Sequence, residues 1–297
     1  MNIKAQKFWQ PASCFLTVLA WLIFTTGARG EGFRNPPAGA FDLGRAGGRA
    51  AQVDDASAVQ QNPANMTDLT NIQVQATPSI VYIKVNYSSS TAPGQTAETQ
   101  SPWKLLPNLF AVVPFANGNA AAGLGITVPY GLSMEWNQNS SAFTAATPTW
   151  RYLGAGGTPY FAALTTANIN PAVAVKLGEH FSLGAGLDVM WSSLQFKTYI
   201  APVPGGDPAD AYGTGAGVGG NIALTWKITD RQRLALTFRS PMTVNYYGTF
   251  SQALAPTKSD FRTEIRYPTI VSAGYGVDLP YNVRLESDVE WLQFSRF

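Results

Sequence analysis

Few side chains in this 297-residue sequence are suited to acid–base or nucleophilic chemistry, and those few stand apart. His180 is the only histidine and Cys14 the only cysteine. A hydrolase needs a nucleophile beside a base, usually histidine, but His180 falls in a short turn, Gly178-Glu179-His180, far from the serine run Ser88-Ser89-Ser90. One cysteine and one histidine cannot assemble a structural zinc site, and no phosphate-binding glycine motif follows a strand pattern. The sequence therefore predicts no enzyme, no metal and no cofactor. What its charged residues offer is pairing. Glu286, Asp288 and Glu290 recur at every second position and share one face of a strand. Arg233, Arg239 and Arg284 take similar positions in neighbouring segments.

The elements that carry these charges belong to an unusual composition. The chain is 45% hydrophobic and 13% charged, with 28 glycines, about half the charge of an ordinary soluble domain. Lys4 and Lys7 precede an apolar stretch from Ala12 to Phe24, and Ala28-Arg29-Gly30 follows a small-x-small pattern. Residues 1–30 thus read as a secretory signal, leaving Glu31 as the mature N-terminus. The apolar stretch is too short to cross a hydrocarbon core of about 30 Å at about 1.5 Å per residue. Cys14 lies inside the signal, so a mature disulfide is not expected. Without the signal, 17 basic residues face 18 acidic ones, which provides no positive field for nucleic acid.

From about residue 70 onward, apolar residues alternate with polar or small ones, the period of a strand. Nine strands are predicted, over 71–87, 108–116, 120–136, 159–177, 181–198, 216–228, 232–249, 262–278 and 281–294. Alternation alone fits either a soluble sandwich or a membrane barrel. The connections favour the barrel: short turns at Asn117-Gly118, 178–180, 229–231 and 278–280 alternate with long polar linkers at 88–106, 137–158, 199–214 and 250–261. Tyr82, Trp136, Trp191, Trp226 and Trp291 suit interfacial girdles, or else core positions. The expected fold is all-β, an antiparallel transmembrane β-barrel spanning 71–297. Bacterial single-chain barrels have an even strand count and no free edges, so nine strands suggest a C-terminally truncated form.

Residues 31–70 lack strand alternation and are rich in glycine, alanine and asparagine. Gly44-Arg45-Ala46, Asp54-Asp55-Ala56-Ser57 and Asn62-Pro63-Ala64 follow one another there. This combination resembles the N-terminal hatch of the FadL/TodX family, outer-membrane transporters of long-chain fatty acids and other hydrophobic compounds. Further segments resemble the family in order, among them Pro129-Tyr130-Gly131-Leu132, Asn170-Pro171-Ala172, Leu183-Gly184-Ala185-Gly186, Leu236-Thr237-Phe238-Arg239-Ser240 and Asp288-Val289-Glu290-Trp291. The resemblance implies a fourteen-stranded barrel, of which about nine strands are represented, plugged by residues 31–70.

On that resemblance, Gly44, Arg45, Asp54, Asp55, Asn62, Pro63 and Ala64 are hatch residues. Arg45 is expected to pair with the carboxylates on the face of Glu286, Asp288 and Glu290, and Asp54 and Asp55 with Arg233, Arg239 or Arg284; alternatively, these charges only solvate the lumen. Pro129 lacks a ladder donor and Gly131 weakens pairing two residues on, so the third strand is the expected lateral opening, a simple bulge being the alternative. Trp103, Leu106, Leu109 and Phe110 are the expected ligand contacts, unless they merely begin the second strand and its girdle. The function implied is transport of hydrophobic compounds, foremost long-chain fatty acids, across the outer membrane by hatch rearrangement and lateral exit. A general porin, an adhesin or an outer-membrane lipid hydrolase are the rivals. Expected partners are hydrophobic small molecules and outer-membrane lipids, with the chain a monomer.

Overall fold

The computed structural model describes residues 33–39, 43–44, 50–145, 158–199, 208–253 and 258–294. The signal segment, Arg45 and residues 295–297 lie outside them.

Among the described residues, sixteen strand segments join end to end into nine wall strands. The first wall strand comprises β1 (Gln73–Ala76), β2 (Ser79–Tyr82) and β3 (Asn86–Ser88), and the second β4 (Thr96–Gln100), β5 (Trp103–Leu106) and β6 (Leu109–Phe115). The third is β7 (Ala120–Thr127) with β8 (Gly131–Trp136), followed by β9 (Thr158–Leu177), β10 (Phe181–Tyr199) and β11 (Pro208–Thr229). β12 (Gln232–Arg239) continues into β13 (Met242–Gln252), β14 (Ser259–Tyr267) into β15 (Ile270–Leu279), and β16 (Val283–Leu292) comes last. All pairings are antiparallel, and the main path runs β1-β6-β7-β9-β10-β11-β12-β15-β16. Among the described residues β1 and β16 each have a neighbour on one side only, so the sheet is not closed.

Two expected boundaries are corrected. The linker expected over 88–106 is mostly strand, because β4 pairs with β3 and β5 with β2, leaving 89–95 as the connection. Thr96-Ala97-Glu98-Thr99-Gln100 alternates polar with small or polar residues, and Pro102 and Pro107 break the rest, so no apolar period marked it. The linker expected over 199–214 is likewise shortened, since β11 begins at Pro208, where the glycines of Gly213-Thr214-Gly215-Ala216-Gly217 hid the alternation.

Side-chain placement inverts that of a soluble protein. On β10, Leu187, Val189 and Trp191 are exposed, whereas Ser182, Asp188 and Ser192 are buried, Asp188 to 1%. An outward apolar face with a polar interior is what a strand in lipid requires. No described helix is long and apolar enough to cross a membrane.

On the inner face lies the segment from Ala50 to Leu69. It contains a one-turn helix, α1 (Ala58–Gln61), and a 3-10 turn over Pro63–Asp68. Asn62 lies between them and explains the Asn-Pro-Ala run: its side chain accepts from the Ala64 amide at 3.0 Å, and Pro63 fills a helix position that needs no donor. Val53, Val59, Met66 and Leu69 pack with Phe110, Val112 and Ala121 in one buried cluster. Adjacent aspartates reach opposite ends of the sheet: Asp54 pairs with Arg284 of β16 at 2.7 Å, and Asp55 accepts from Gln75 of β1 at 3.2 Å. The wall therefore wraps around this segment.

Candidate functional site

The third wall strand is interrupted over Val128–Tyr130. Towards β9 its pairing continues on both sides of the interruption, through β7 and then β8. Towards the second wall strand it does not. β6 pairs with β7 as far as Leu109↔Ile126, and pairing resumes only at Gln100↔Glu135 and Thr99↔Trp136. Residues 101–108 and 127–134 thus face each other without a ladder, and Lys104 Nζ donates to Ser133 Oγ across the gap at 3.2 Å. Pro129, with no N–H, stands in the interruption, and Gly131 is the first residue of β8.

Backbone groups freed by such a break must be satisfied inside, since lipid offers no partner. Residues Phe33–Asn35 supply them. The Asn35 amide donates to the Pro129 carbonyl at 3.0 Å and the Gly131 amide to the Phe33 carbonyl at 2.9 Å, with Arg34 opposite Tyr130. Asn35 Nδ2 donates to the Val128 carbonyl at 2.8 Å. The Phe33 ring sits 5.7 Å from Tyr130, 5.9 Å from Tyr267 and 6.0 Å from Phe294. Arg34 binds Glu290 of β16 through both terminal nitrogens. A three-residue segment, bridged at Arg34 to the third wall strand, therefore lies along the interruption as a seal on that strand, held by an aromatic cluster at one position and an ion pair at the next.

Beside this seal, residues 34–38, Gln60 and Gln61 face Thr127, Pro129, Tyr130, Asn221 and Arg239 across a cavity of about 80 Å³. Arg239 donates to Asp188 and, at 2.9 Å, to the Gln60 carbonyl at the end of α1. Asp188 also accepts from Asn168 Nδ2 at 2.8 Å and Asn221 Nδ2 at 2.9 Å, so this buried carboxylate is matched by one cation and two amides.

The inner segment is anchored mainly on β10, β11, β12 and β16. Asn62 Nδ2 donates to Thr225 Oγ1 at 3.0 Å, Thr225 Oγ1 to Asn65 Oδ1 at 2.7 Å, and Thr67 Oγ1 to Ser182 Oγ at 3.0 Å. Asp68 takes Lys227 and Arg233, the latter at 2.9 Å. Glu286 accepts the Ala51 and Gln52 amides, each at 3.0 Å. Pro63 and Ala64 press so closely on Gly184 that a Cβ there would overlap their backbone. Gly184→Val is accordingly expected to destabilise the protein by about 1–3 kcal/mol, seen as a lowered thermal midpoint in detergent; an unchanged midpoint would show that the segment does not rest there.

The sequence-predicted residues divide accordingly. Asp54 meets one of its three expected arginines, Arg284. Arg233 and Arg239 instead take Asp68 and Asp188, while Asp55 closes a turn just ahead of α1 by accepting from the Ser57 amide at 2.9 Å. Asn62, Pro63 and Ala64 are buried against the wall. Gly44 has nothing packed within 4 Å of its Cβ position, and Arg45 is outside the described residues. Trp103, Leu106, Leu109 and Phe110 do not line one cavity: Trp103 faces outward against Tyr82 at 4.8 Å, Leu109 is exposed, Leu106 is half-buried, and Phe110 packs on the inner segment. His180 lies in the β9–β10 turn, its Nδ1 3.0 Å from the Lys227 carbonyl oxygen.

Phe33, Arg34 and Asn35 were not foreseen. Their signal is weak: the partner sought for Glu290 was an arginine of the small-residue segment, and Arg34, Arg45 and Arg49 all qualify by type.

Comparison with known proteins matches residues 21–297 to the sequence model described as outer membrane protein transport protein (OMPP1/FadL/TodX). A long-chain fatty acid transport protein of Salmonella typhi is 28% identical over 258 residues, covering 80% of this chain and 56% of that protein. Outer membrane protein P1 of Haemophilus influenzae is 27% identical over 200 residues, 61% of this chain and 40% of its own. The chain thus spans roughly half the length of these curated relatives. Among solved structures, a Pseudomonas aeruginosa FadL homologue superposes with a TM-score of 0.69 at 19% identity, over 90% of this chain and 70% of that one. The P. putida toluene transporter TodX does so with a TM-score of 0.64 at 15% identity, over 84% and 68%.

Proposed function

Because the chain belongs to the outer membrane protein transport family (OMPP1/FadL/TodX) and is an outer-membrane β-barrel protein, we propose that it carries hydrophobic compounds, foremost long-chain fatty acids, across that membrane. The observation that carries this reading is the unladdered stretch of wall sealed from inside by Phe33–Asn35. A hydrocarbon tail leaving through water would lose about 0.8 kcal/mol per methylene, so a ligand held inside gains by leaving sideways into lipid. Lateral exit needs a gap in the wall with a removable cover. In this reading residues 31–70 are the hatch: ligand binding displaces Phe33–Asn35, the gap between 101–108 and 127–134 opens, and the ligand passes through. The anchors of Ala50–Leu69 on β10, β11, β12 and β16 keep the rest in place. Long-chain fatty acids are favoured by the names of the relatives at 25–28% identity, aromatic hydrocarbons by structural likeness alone.

The test is uptake of labelled oleate by cells whose own fatty-acid transporter has been deleted and which produce this protein. Uptake well above the vector control is expected, with a hydrophilic sugar of similar mass excluded. Equal passage of both would replace the transporter by a general porin.

A further inference from the structure

The cavity beside the seal has a chemical bias. Its two cations are already matched, Arg34 by Glu290 and Arg239 by Asp188 together with the Gln60 carbonyl. Three oxygens on its lining, Thr127 Oγ1, Asn221 Oδ1 and Gln60 Oε1, are buried and have no hydrogen-bond partner among the described residues. Thr127 is 0% and Asn221 7% exposed. The orientation of the Asn221 amide is fixed, because its nitrogen donates to Asp188, so an acceptor faces the cavity. Buried acceptors left unpaired are costly. A group entering here is therefore stabilised by bringing a donor. An anionic head would instead meet the Glu290 carboxylate and two arginines that are already engaged. At about 80 Å³, the space has room for more than a single water molecule and so for a small polar head group. Pro129 and Tyr130, at the interruption in the wall, form part of its lining, which gives a tail its way out.

Resting on the transport reading above, we propose that this cavity is a head-group site for long-chain ligands with a neutral, hydroxyl-bearing head, an alcohol or an undissociated carboxylic acid. It discriminates against both the bare hydrocarbon and the ionised head. The ligand O–H donates to Asn221 Oδ1 or Gln60 Oε1, the Thr127 hydroxyl donates to the ligand oxygen, and the aliphatic chain lies along Pro129 and Tyr130.

The test measures equilibrium binding of labelled hexadecanol, hexadecane and hexadecyl sulfonate to the full chain in vesicles. Hexadecanol is expected to bind about fivefold tighter than hexadecane for each hydrogen bond made, and the sulfonate more weakly than the alcohol. Thr127→Val should remove about fivefold from hexadecanol alone. Gln60→Met, which spares the backbone carbonyl held by Arg239, gives the same readout should the first variant fail to fold. Equal binding of alcohol and alkane, as when only water occupies the cavity, overturns the proposal. So does tightest binding of the sulfonate, or equal losses for alcohol and alkane in both variants. Absence of binding by all three probes overturns the transport reading and this site with it, which separates the two failures.

Discussion

Arg239→Leu is expected to lower the stability of the folded protein by about 3–5 kcal/mol, because it strands a carboxylate inside the wall. Asp188 is 1% exposed, and among the described residues Arg239 is the only cation it binds. Removing that cation leaves two amide donors facing an uncompensated buried charge. The same substitution frees the Gln60 carbonyl and so loosens the end of α1. Pairing it with Asp188→Leu should restore much of the loss, since replacing both members of a buried pair by apolar residues is far less costly than removing one. Arg284→Leu serves as the contrast. Its partners Asp54 and Asp278 are 47% and 38% exposed, and pairs so open to solvent contribute about 0–1 kcal/mol. Denaturant midpoints in micelles distinguish these outcomes; equal effects of Arg239→Leu and Arg284→Leu would mean that Asp188 is not buried as described.

The second large effect is kinetic. Phe33 contributes the apolar part of the seal through its contacts with Tyr130, Tyr267 and Phe294. Phe33→Ala deletes a half-buried ring, and truncating a fully buried one costs about 3–5 kcal/mol. Half of that, lost from the sealed state alone, shifts the equilibrium towards the open state by about 10- to 70-fold. Uptake of a long-chain ligand should rise by a comparable factor when opening limits the rate. The seal is not needed for the nine wall strands to pair, so the thermal midpoint should move less than in Arg239→Leu. Uptake that is unchanged or slower in a well-folded Phe33→Ala protein would remove the ring from the gate.

Much of the wall was legible because a strand in lipid has a simple period. Where the outward residues are large and apolar, as at Leu183, Leu187, Val189 and Trp191, the boundaries of β10 agree to within one residue. Where they are not, the reading failed for identifiable reasons. Thr96–Gln100 pairs through its backbone with only polar and small side chains to show for it. Ser240-Pro241 and Pro268-Thr269 each split an expected strand in two, the prolines having no donor for the ladder. The interruption at Pro129 was visible for the same reason, but its consequence was not. Nothing local shows that the third wall strand stays on β9 on both sides of the interruption while residues 127–134 lose their neighbour in the second wall strand, because that depends on residues 101–108, twenty-odd positions earlier.

The site was legible in its types and much less so in its pairs. An arginine from the N-terminal segment was expected on the face of Glu286, Asp288 and Glu290; Arg34 is there, on Glu290, while the expected Arg45 lies outside the described residues. Asp54 and Arg284 were rightly associated, being 230 residues apart. Asp68, which carries two ion pairs, gave no signal, since a lone aspartate after a turn resembles any solvated residue. Pairing across a barrel interior is set by shear and by the path of the inner segment, and neither has a local period. The close approach of Pro63–Ala64 to Gly184 gives a physical reason for two motifs that were recognised only by resemblance.

The most direct test of lateral exit is a reversible lock on the seal. Arg34 and Tyr130 lie opposite each other at a bridge whose hydrogen bonds flank them, the geometry of a non-hydrogen-bonded antiparallel pair with α-carbons about 4.5 Å apart, within reach of a disulfide. In cells producing the Arg34→Cys/Tyr130→Cys protein, oleate uptake is measured under oxidising conditions and again after reduction. Uptake should fall to the vector background when the bond forms and return when it is reduced, while each single variant stays insensitive to oxidant. Undiminished uptake with the bond formed would contradict exit through this gap.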